Sequence, residues 1–134
     1  MSHYTVMETA FVDTSCLVEA LKALGLCEVE VHSEKTNLYG FQGDVRPQQA
    51  EIVVRRQYVG SASNDIGFAR QANGTYTAII SDYDRHRYND QWIGKLKQQY
   101  AKATTIRELQ KKRFKITEET MPDGRIRIVG TRTA

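Results

Sequence analysis

EIVVRRQYVGSASNDIGFARQANGTYTAIIS, residues 51–81, is the stretch that decides the fold. It predicts three β-strands, because runs rich in β-branched and aromatic residues alternate with polar turns. The dipeptide Asn73-Gly74 is a strong hairpin signal and predicts a type I′ turn, in which both residues have positive φ. Neighbouring strands joined by short turns favour an antiparallel sheet.

The chain before this stretch predicts a strand followed by a helix. Tyr4–Thr9 has the composition of a first strand. A helix of about ten residues is expected next, because apolar side chains recur at helical spacing; they are Leu17, Leu21 and Leu24. Gly25 follows this apolar stripe, where a left-handed helix cap would need a glycine.

Two more strands are predicted between that helix and residue 50. Glu28–His32 alternates apolar and polar residues, and Asn37–Phe41 is again typical of a strand. We expect a turn over Ser33–Thr36 and a glycine-rich turn over Gly40–Asp44. The strand that follows is expected to run over residues 50–59.

A charged helix that carries the single tryptophan follows the strands. Its apolar stripe predicts packing against the sheet; the stripe consists of Trp92, Leu96, Tyr100 and Ala103. The pattern from Thr105 to Glu108 fits a capping box and predicts a separate short helix. Turn residues at 121–124 predict a final hairpin. The predicted class is α+β: one domain over residues 1–134, mainly antiparallel sheet, with two to three helices packed on one face.

Composition excludes several classes of protein. No apolar stretch approaches the length of a membrane span, and the N-terminal residues do not resemble a secretory signal. Cys16 and Cys27 match neither a redox pair nor a zinc motif, so we expect two reduced thiols in the core of an intracellular protein. No cofactor is predicted. The sequence indicates neither the presence nor the absence of a small-molecule ligand.

The net charge of +3 is unevenly distributed. Residues 1–83 carry 6 Lys/Arg and 10 Asp/Glu, whereas residues 84–134 carry 13 Lys/Arg and 6 Asp/Glu. A basic surface can bind an acidic protein face or a nucleic acid. We therefore expect a partner-binding face on the helix that follows the strands, formed by Arg85, Arg87, Lys95, Lys97 and Lys102. An acidic protein is the favoured partner, and RNA bound by the same basic face is the alternative.

The segment from Asp82 to His86 is the one local pattern that suggests metal or acid–base chemistry. Two carboxylates and an imidazole alternate here, at Asp82, Asp84 and His86. Arg85 and Arg87 are interleaved with them and would compete for the carboxylates. Helix-entry capping and surface ion pairs are the favoured interpretation. A metal-dependent enzyme is kept as a remote alternative, and no catalytic residue is predicted.

Several segments, taken in order, resemble one family: Met1–Thr5, Ala50–Arg55, Asp65–Phe68, Gly74–Tyr76, Trp92–Ala101 and Asp123–Ile128. It is the conserved hypothetical chloroplast open reading frame thirty-five family, which occurs in cyanobacteria and algal plastids. The chain departs from it weakly, with Tyr4 in place of an expected Phe and a longer basic stretch at 84–90. The family is a domain of unknown function, so the resemblance transfers no catalytic residues.

The resemblance implies a protein of the cyanobacterial cytoplasm or the plastid stroma, with a role that supports photosynthesis or carbon assimilation. Together with the absence of a catalytic motif, it leads to a functional hypothesis. We expect a small non-enzymatic accessory or assembly protein of a photosynthetic cell, which binds an acidic protein through its basic helix face.

Overall fold

The computed structural model describes residues 3–112 and 114–132. The elements follow in the order β1 (Tyr4–Glu8), α1 (Thr14–Ala23), β2 (Glu30–Tyr39), β3 (Val45–Val54), α2 (Arg56–Val59), β4 (Ile66–Arg70), β5 (Tyr76–Ser81), a 3₁₀ turn (Asp84–His86), α3 (Asp90–Lys111), β6 (Phe114–Thr120) and β7 (Ile126–Arg132). Strands and helices are mixed along the chain, and every strand pair is antiparallel. The predicted α+β class is confirmed.

A five-stranded sheet in the order β1-β5-β4-β3-β2 forms the centre of the molecule. Phe68 of β4 pairs with Ala78 of β5 and Ile52 of β3, so these side chains point to the same face. They pack with the buried apolar residues of α1 and α3, among them Leu17 and Leu96. The long helices therefore cover one face of the sheet, as predicted. Strands β6 and β7 form a separate two-stranded sheet.

The opposite face of the sheet is covered by the hairpin that β2 and β3 form, the longest in the sheet. A second core cluster lies there, formed by Leu38, Ala50, Val53, Ala69 and Ile79. The guanidinium of Arg46 on β3 lies 5.2 Å from the ring centroid of Tyr4 on β1. Strands β4 and β5 separate these two strands, a distance of roughly 14 Å across a flat sheet. The β2–β3 hairpin must therefore curve over this face, and irregular pairing between Val31 and Thr36 accompanies the curvature.

All three hairpins use the same turn. In each, a glycine N–H donates to the carbonyl three residues earlier, and that glycine has positive φ: Gly43 (+79°), Gly74 (+89°) and Gly124 (+88°). This is a type I turn followed by a left-handed residue, the common three-residue hairpin loop. The hairpin predicted at Asn73-Gly74 is confirmed, but the type I′ turn is wrong, because Ala72 also belongs to the loop.

Several strand boundaries differ from the prediction: β2 begins at Glu30 and ends at Tyr39, and β3 already begins at Val45. Ser33–Thr36 is not a turn, since it lies inside β2 and its polar side chains belong to an irregular stretch of an edge strand. The strand expected over 50–59 stops at Val54 because the backbone N–H of Arg56 donates to the buried Asp65 carboxylate at 2.7 Å, which fixes the start of α2. Cys16 is buried as expected. The expectation of a buried thiol is wrong for Cys27, which is exposed in the segment between α1 and β2.

The short second helix predicted at Thr105 is wrong, because α3 continues without a break to Lys111. The hydroxyls of Thr104 and Thr105 donate to the carbonyl of Ala101, at 2.9 and 2.8 Å. This bonding back to the preceding turn satisfies a threonine inside a helix, so the residues do not act as caps. A capping-box sequence was therefore insufficient to start a helix here.

A polar clasp joins the C-terminal half of α3 to the start of α1. The Tyr100 hydroxyl accepts the backbone N–H groups of Val12 and Asp13, each at 3.0 Å. Arg107 pairs with the Asp13 carboxylate at 2.6 Å. The same carboxylate caps α1 by accepting the N–H of Cys16 at 2.9 Å. These bonds, first the Cys16 N–H and also the Arg107 guanidinium, lower the pKa of Asp13 from 3.8 to about 2.

The clasp predicts a pH-dependent stability. Because the folded pKa of Asp13 is depressed, its stabilisation is complete above pH 3.8 and is lost as the pH falls through about 2. Asp13→Ala should lower the free energy of unfolding by about 1 kcal/mol at pH 7, the usual cost of losing a helix cap. Urea denaturation of both proteins from pH 7 to pH 2 measures this. An equal cost at pH 7 and pH 2 would contradict the assignment.

Gly67 makes room for the hairpin that covers the second face. A Cβ atom at Gly67 would lie 2.8 Å from the Cβ of Ala50 and 2.9 Å from a methyl of Leu38. Leu38 is fully buried against this position. The β2–β3 hairpin can therefore pack closely on this face only because residue 67 has no side chain.

Gly67→Ala should destabilise the protein by about 1–3 kcal/mol, because it overpacks a full core. Gly94→Ala provides a matched control with the opposite sign, since Gly94 is exposed within α3 and has no atom near its would-be Cβ. That change should stabilise by about 0.5–1 kcal/mol through helix propensity. Thermal unfolding of the two variants measures both changes in stability. A Gly67→Ala protein as stable as the wild type would refute the packing argument.

Candidate interaction surfaces

Two of the five predicted basic residues are engaged within the chain. Arg85 pairs with Asp90 at 3.0 Å and also contacts the sulfur of Met7. Lys102 pairs with Glu118 of β6 at 2.6 Å. Their charges are thus offset by carboxylates that lie beyond the predicted face.

The remaining three, Arg87, Lys95 and Lys97, are exposed. In the part of the chain that the structure describes, none of them forms an ion pair with a carboxylate. The guanidinium of Arg87 stacks on the Tyr88 ring at 5.5 Å. These three cations remain available for a partner.

The five residues do not form one continuous face. Lys95 and Lys102 are seven residues apart and lie about 20° from each other around α3, whereas Lys97 lies on the opposite flank. The β6–β7 hairpin packs on the Lys95 flank, where Gln98 donates to the carbonyl of Gly124 at 3.2 Å. The helical period alone could have revealed this separation.

Asp82, Asp84 and His86 are not brought together. Asp82 is exposed and accepts a hydrogen bond from Thr5, and the His86 ring contacts Tyr83. Asp84 is 1% exposed and points into the protein. No group of three potential metal-ligating side chains occurs within residues 3–112 and 114–132.

Asp84 instead anchors the loop before β4. Its carboxylate accepts the Ser81 hydroxyl at 2.7 Å and the backbone N–H of Asn64 at 2.9 Å. The Asn64 side chain in turn accepts the backbone N–H of Phe41 at 3.0 Å. Three separate segments are therefore tied together by buried polar bonds, which must be satisfied when water is excluded.

A second buried carboxylate, Asp65, extends this network. It pairs with Arg55 at 2.9 Å and accepts the backbone N–H of Tyr39 at 2.7 Å. Arg55 also pairs with Glu30 at 3.0 Å. The carbonyl of Asp65 accepts the hydroxyl of Tyr4. The network therefore joins β1, β2, β3 and β4.

A cleft of about 440 Å³ lies above these two carboxylates. Its lining comes from the β2–β3 turn, the loop before β4 and the segment after β5, and consists of Phe41, Gln42, Asp44, Arg46, Ala62, Asn64 and Tyr83. Phe41 and Tyr83 are 48% and 46% exposed, unusually high for aromatic rings. We call this the Phe41–Tyr83 cleft.

Tyr4, whose ring is contacted by the cleft residue Arg46, lies close to three carboxylates. The pKa of the nearby Tyr4 is raised strongly, first by burial and then by the charge of Asp65, with Asp84 and Asp44 acting in the same direction. Arg46 opposes them. A cleft lined by two exposed aromatic rings and the Asp44 carboxylate was not anticipated from the sequence, since its members are scattered from residue 41 to residue 83 and form no local motif.

Comparisons with known proteins cover almost the whole chain. The model of a family described as "Protein of unknown function (DUF1257)" matches residues 20–129. A relative from Cyanophora paradoxa, "Uncharacterized protein ycf35", is 31% identical over 131 residues, which are 96% of this chain and 95% of the relative. No solved structure matches the chain. No helix in the described part of the chain is both long and apolar enough to cross a membrane.

The positions of Asp84 and Asp82 predict very different mutational effects. Asp84→Ala should destabilise the protein by about 1–3 kcal/mol, because two buried donors lose their acceptor. Asp82→Ala should change stability by less than about 0.5 kcal/mol, because that carboxylate is exposed. Chemical denaturation measures both. Equal effects of the two substitutions would contradict the structural role of Asp84. A rise in the Tm of the wild type on adding Zn²⁺, Mg²⁺ or Mn²⁺ would also count against this role.

Proposed function

The chain belongs to the ycf35 family of unknown function (DUF1257), and from that premise we propose that it is a small non-enzymatic accessory or assembly protein of a photosynthetic cell. In this proposal it acts in the cyanobacterial cytoplasm or the plastid stroma, which agrees with a relative in Cyanophora paradoxa. Its partner is an acidic protein, bound through basic side chains on and before α3.

The observation that carries this proposal is the set of exposed cations that lack a carboxylate. Arg87, Lys95 and Lys97 have no ion pair within the described ranges, whereas Arg85 and Lys102 do. Exposed charges of one sign steer an oppositely charged partner and raise the association rate. The proposed contact therefore uses these three residues, and the partner must extend around α3, because Lys97 lies on one flank of the helix and Lys95 on the other.

A non-enzymatic role is supported by the separation of the candidate acid–base groups. Asp84 is buried and bound to neutral donors, while Asp82 and His86 lie in solvent. A general acid or base must reach a substrate, and a metal needs several ligands at one point. The three side chains meet neither condition in this arrangement.

An acidic protein is favoured over RNA because the aromatic rings on α3 already form contacts within the chain. Proteins that bind single-stranded nucleic acid stack bases on exposed aromatic rings. On α3, Trp92 is packed edge-on against Tyr88, and Tyr100 is held in the clasp to α1. Neither ring is free to stack on a base.

Charge reversal tests the proposal. The tagged wild type and a Lys95→Glu/Lys97→Glu variant should be used to capture partners from a lysate of the source organism, with and without nuclease. We expect an acidic protein that survives nuclease treatment and is lost with the variant, because like charges repel at an interface.

A Lys95→Arg/Lys97→Arg variant is the matched control, because it replaces the same two exposed side chains and keeps their charge. It should retain the partner. Partners kept by the α3 variant would overturn the proposal. Recovery of RNA, with all proteins lost on nuclease treatment, would favour the nucleic-acid alternative.

A further inference from the structure

The Phe41–Tyr83 cleft differs from the cations on α3, because it has two exposed aromatic rings and a partly exposed carboxylate, Asp44. We propose that it is a binding site for an organic cation, an alkylammonium or guanidinium group carried on an apolar stem. This proposal is independent of the acidic partner proposed above, because it concerns different residues and the opposite charge.

The cleft is preformed. Its volume of about 440 Å³ falls within the range of small-ligand sites, roughly 300–1,000 Å³. The turn that carries Phe41 is held by the bond from its backbone N–H to Asn64. The Asn64 backbone is held by Asp84, which also receives the Ser81 hydroxyl just ahead of Tyr83. Both walls are thus anchored to the same buried network, so little ordering would be required on binding.

The walls suit a positive charge. The faces of aromatic rings attract cations within about 6 Å of the ring centroid. The chain itself places the guanidinium of Arg56 over the Phe41 ring at 5.9 Å, which shows that this ring accepts such a group. Arg56 does not line the cleft, whereas Phe41 and Tyr83 both do and are about half exposed.

The polar groups of the cleft also favour a cation. Asp44 lines it with a side chain that is 35% exposed, and its ion pair with Arg46 is long, at 3.9 Å. The Arg46 guanidinium is directed onto the Tyr4 ring and is 9% exposed. Asp84 lies behind the wall and forms no ion pair within the described residues. Arg46 also lines the cleft, but its guanidinium is largely buried against Tyr4, whereas the Asp44 carboxylate is partly exposed and can attract a cation.

A ligand therefore needs two features. A flat or slender apolar part would fill the space between the two rings and the methyl of Ala62. A terminal ammonium or guanidinium would face the Asp44 carboxylate. Free amines and the lysine or arginine side chains of another protein share this chemistry.

NMR titration of the ¹⁵N-labelled full chain tests the site. The probes are n-butylammonium and n-butylguanidinium, with butyrate and 1-butanol as anionic and neutral controls of the same length. We expect saturable shifts of the amides of Gln42, Ala62 and Tyr83 with both cations, with dissociation constants on the order of millimolar. The control compounds should produce no saturable shifts.

Two variants test the assigned groups. Asp44→Asn should weaken cation binding at least about fivefold, because it removes the facing charge. Phe41→Leu should weaken it by about twofold to fivefold, because it removes one aromatic wall. Tyr58→Leu is the matched control, since Tyr58 is 43% exposed but does not line the cleft; it should leave binding unchanged.

Dispersed amide spectra verify that each variant is folded, and having two variants keeps the test decisive if one of them fails to fold. The absence of saturable shifts with either cation would overturn the proposal, as would butyrate binding as tightly, or an unchanged affinity in folded Asp44→Asn. Comparison of putrescine with N-acetyl-lysine amide and N-acetyl-arginine amide then distinguishes a free amine from a lysine or arginine side chain of another protein as the source of the cation. Tighter binding of putrescine assigns a free amine, and tighter binding of the capped amino acids assigns a partner's side chain.

Discussion

The buried carboxylate of Asp65 is the constraint on which much of this structure depends. It is 1% exposed, and a charge at that depth is tolerated only when it is paired and hydrogen-bonded. Its partners are the guanidinium of Arg55 and the backbone N–H groups of Tyr39 and Arg56. These groups come from β2 and from the junction between β3 and α2. The same carboxylate therefore holds the distal end of β2 near β4 and sets where β3 gives way to α2.

The curved hairpin and the cleft both follow from this arrangement. With Tyr39 held near Asp65, the next residues are brought to Asn64, which binds the backbone of Phe41. Leu38 then covers Gly67, and Arg46 reaches Tyr4 across the sheet. Phe41 is left lining the same cleft as Tyr83. Aromatic rings stay exposed here because the polar network beneath them occupies the position where a core would otherwise close.

The fold also redistributes the charge that the sequence carries. The C-terminal part is strongly basic, but its own acidic residues Asp90 and Glu118 pair with two of the predicted binding residues. The β6–β7 hairpin packs along one flank of α3 and leaves Lys97 on the other. A positively charged region is thus reduced to a few accessible cations, while a separate cleft with exposed aromatic rings and a partly exposed carboxylate, Asp44, lies beside the sheet. Net charge alone describes neither surface.

The amino-acid sequence by itself determined the family, the α+β class, the approximate positions of most strands, the left-handed glycine at the end of α1 and the apolar stripe of α3. Each depends on local periodicity, turn chemistry or the order of motifs, which can be read along the chain. Tertiary structure alone decided that Thr105 continues a helix, that Asp84 is buried rather than available for chemistry, and that Phe41 and Tyr83 line one cleft. The reason is physical: burial of a carboxylate and the meeting of distant rings are set by long-range packing and hydrogen bonding, which leave no local pattern in the sequence.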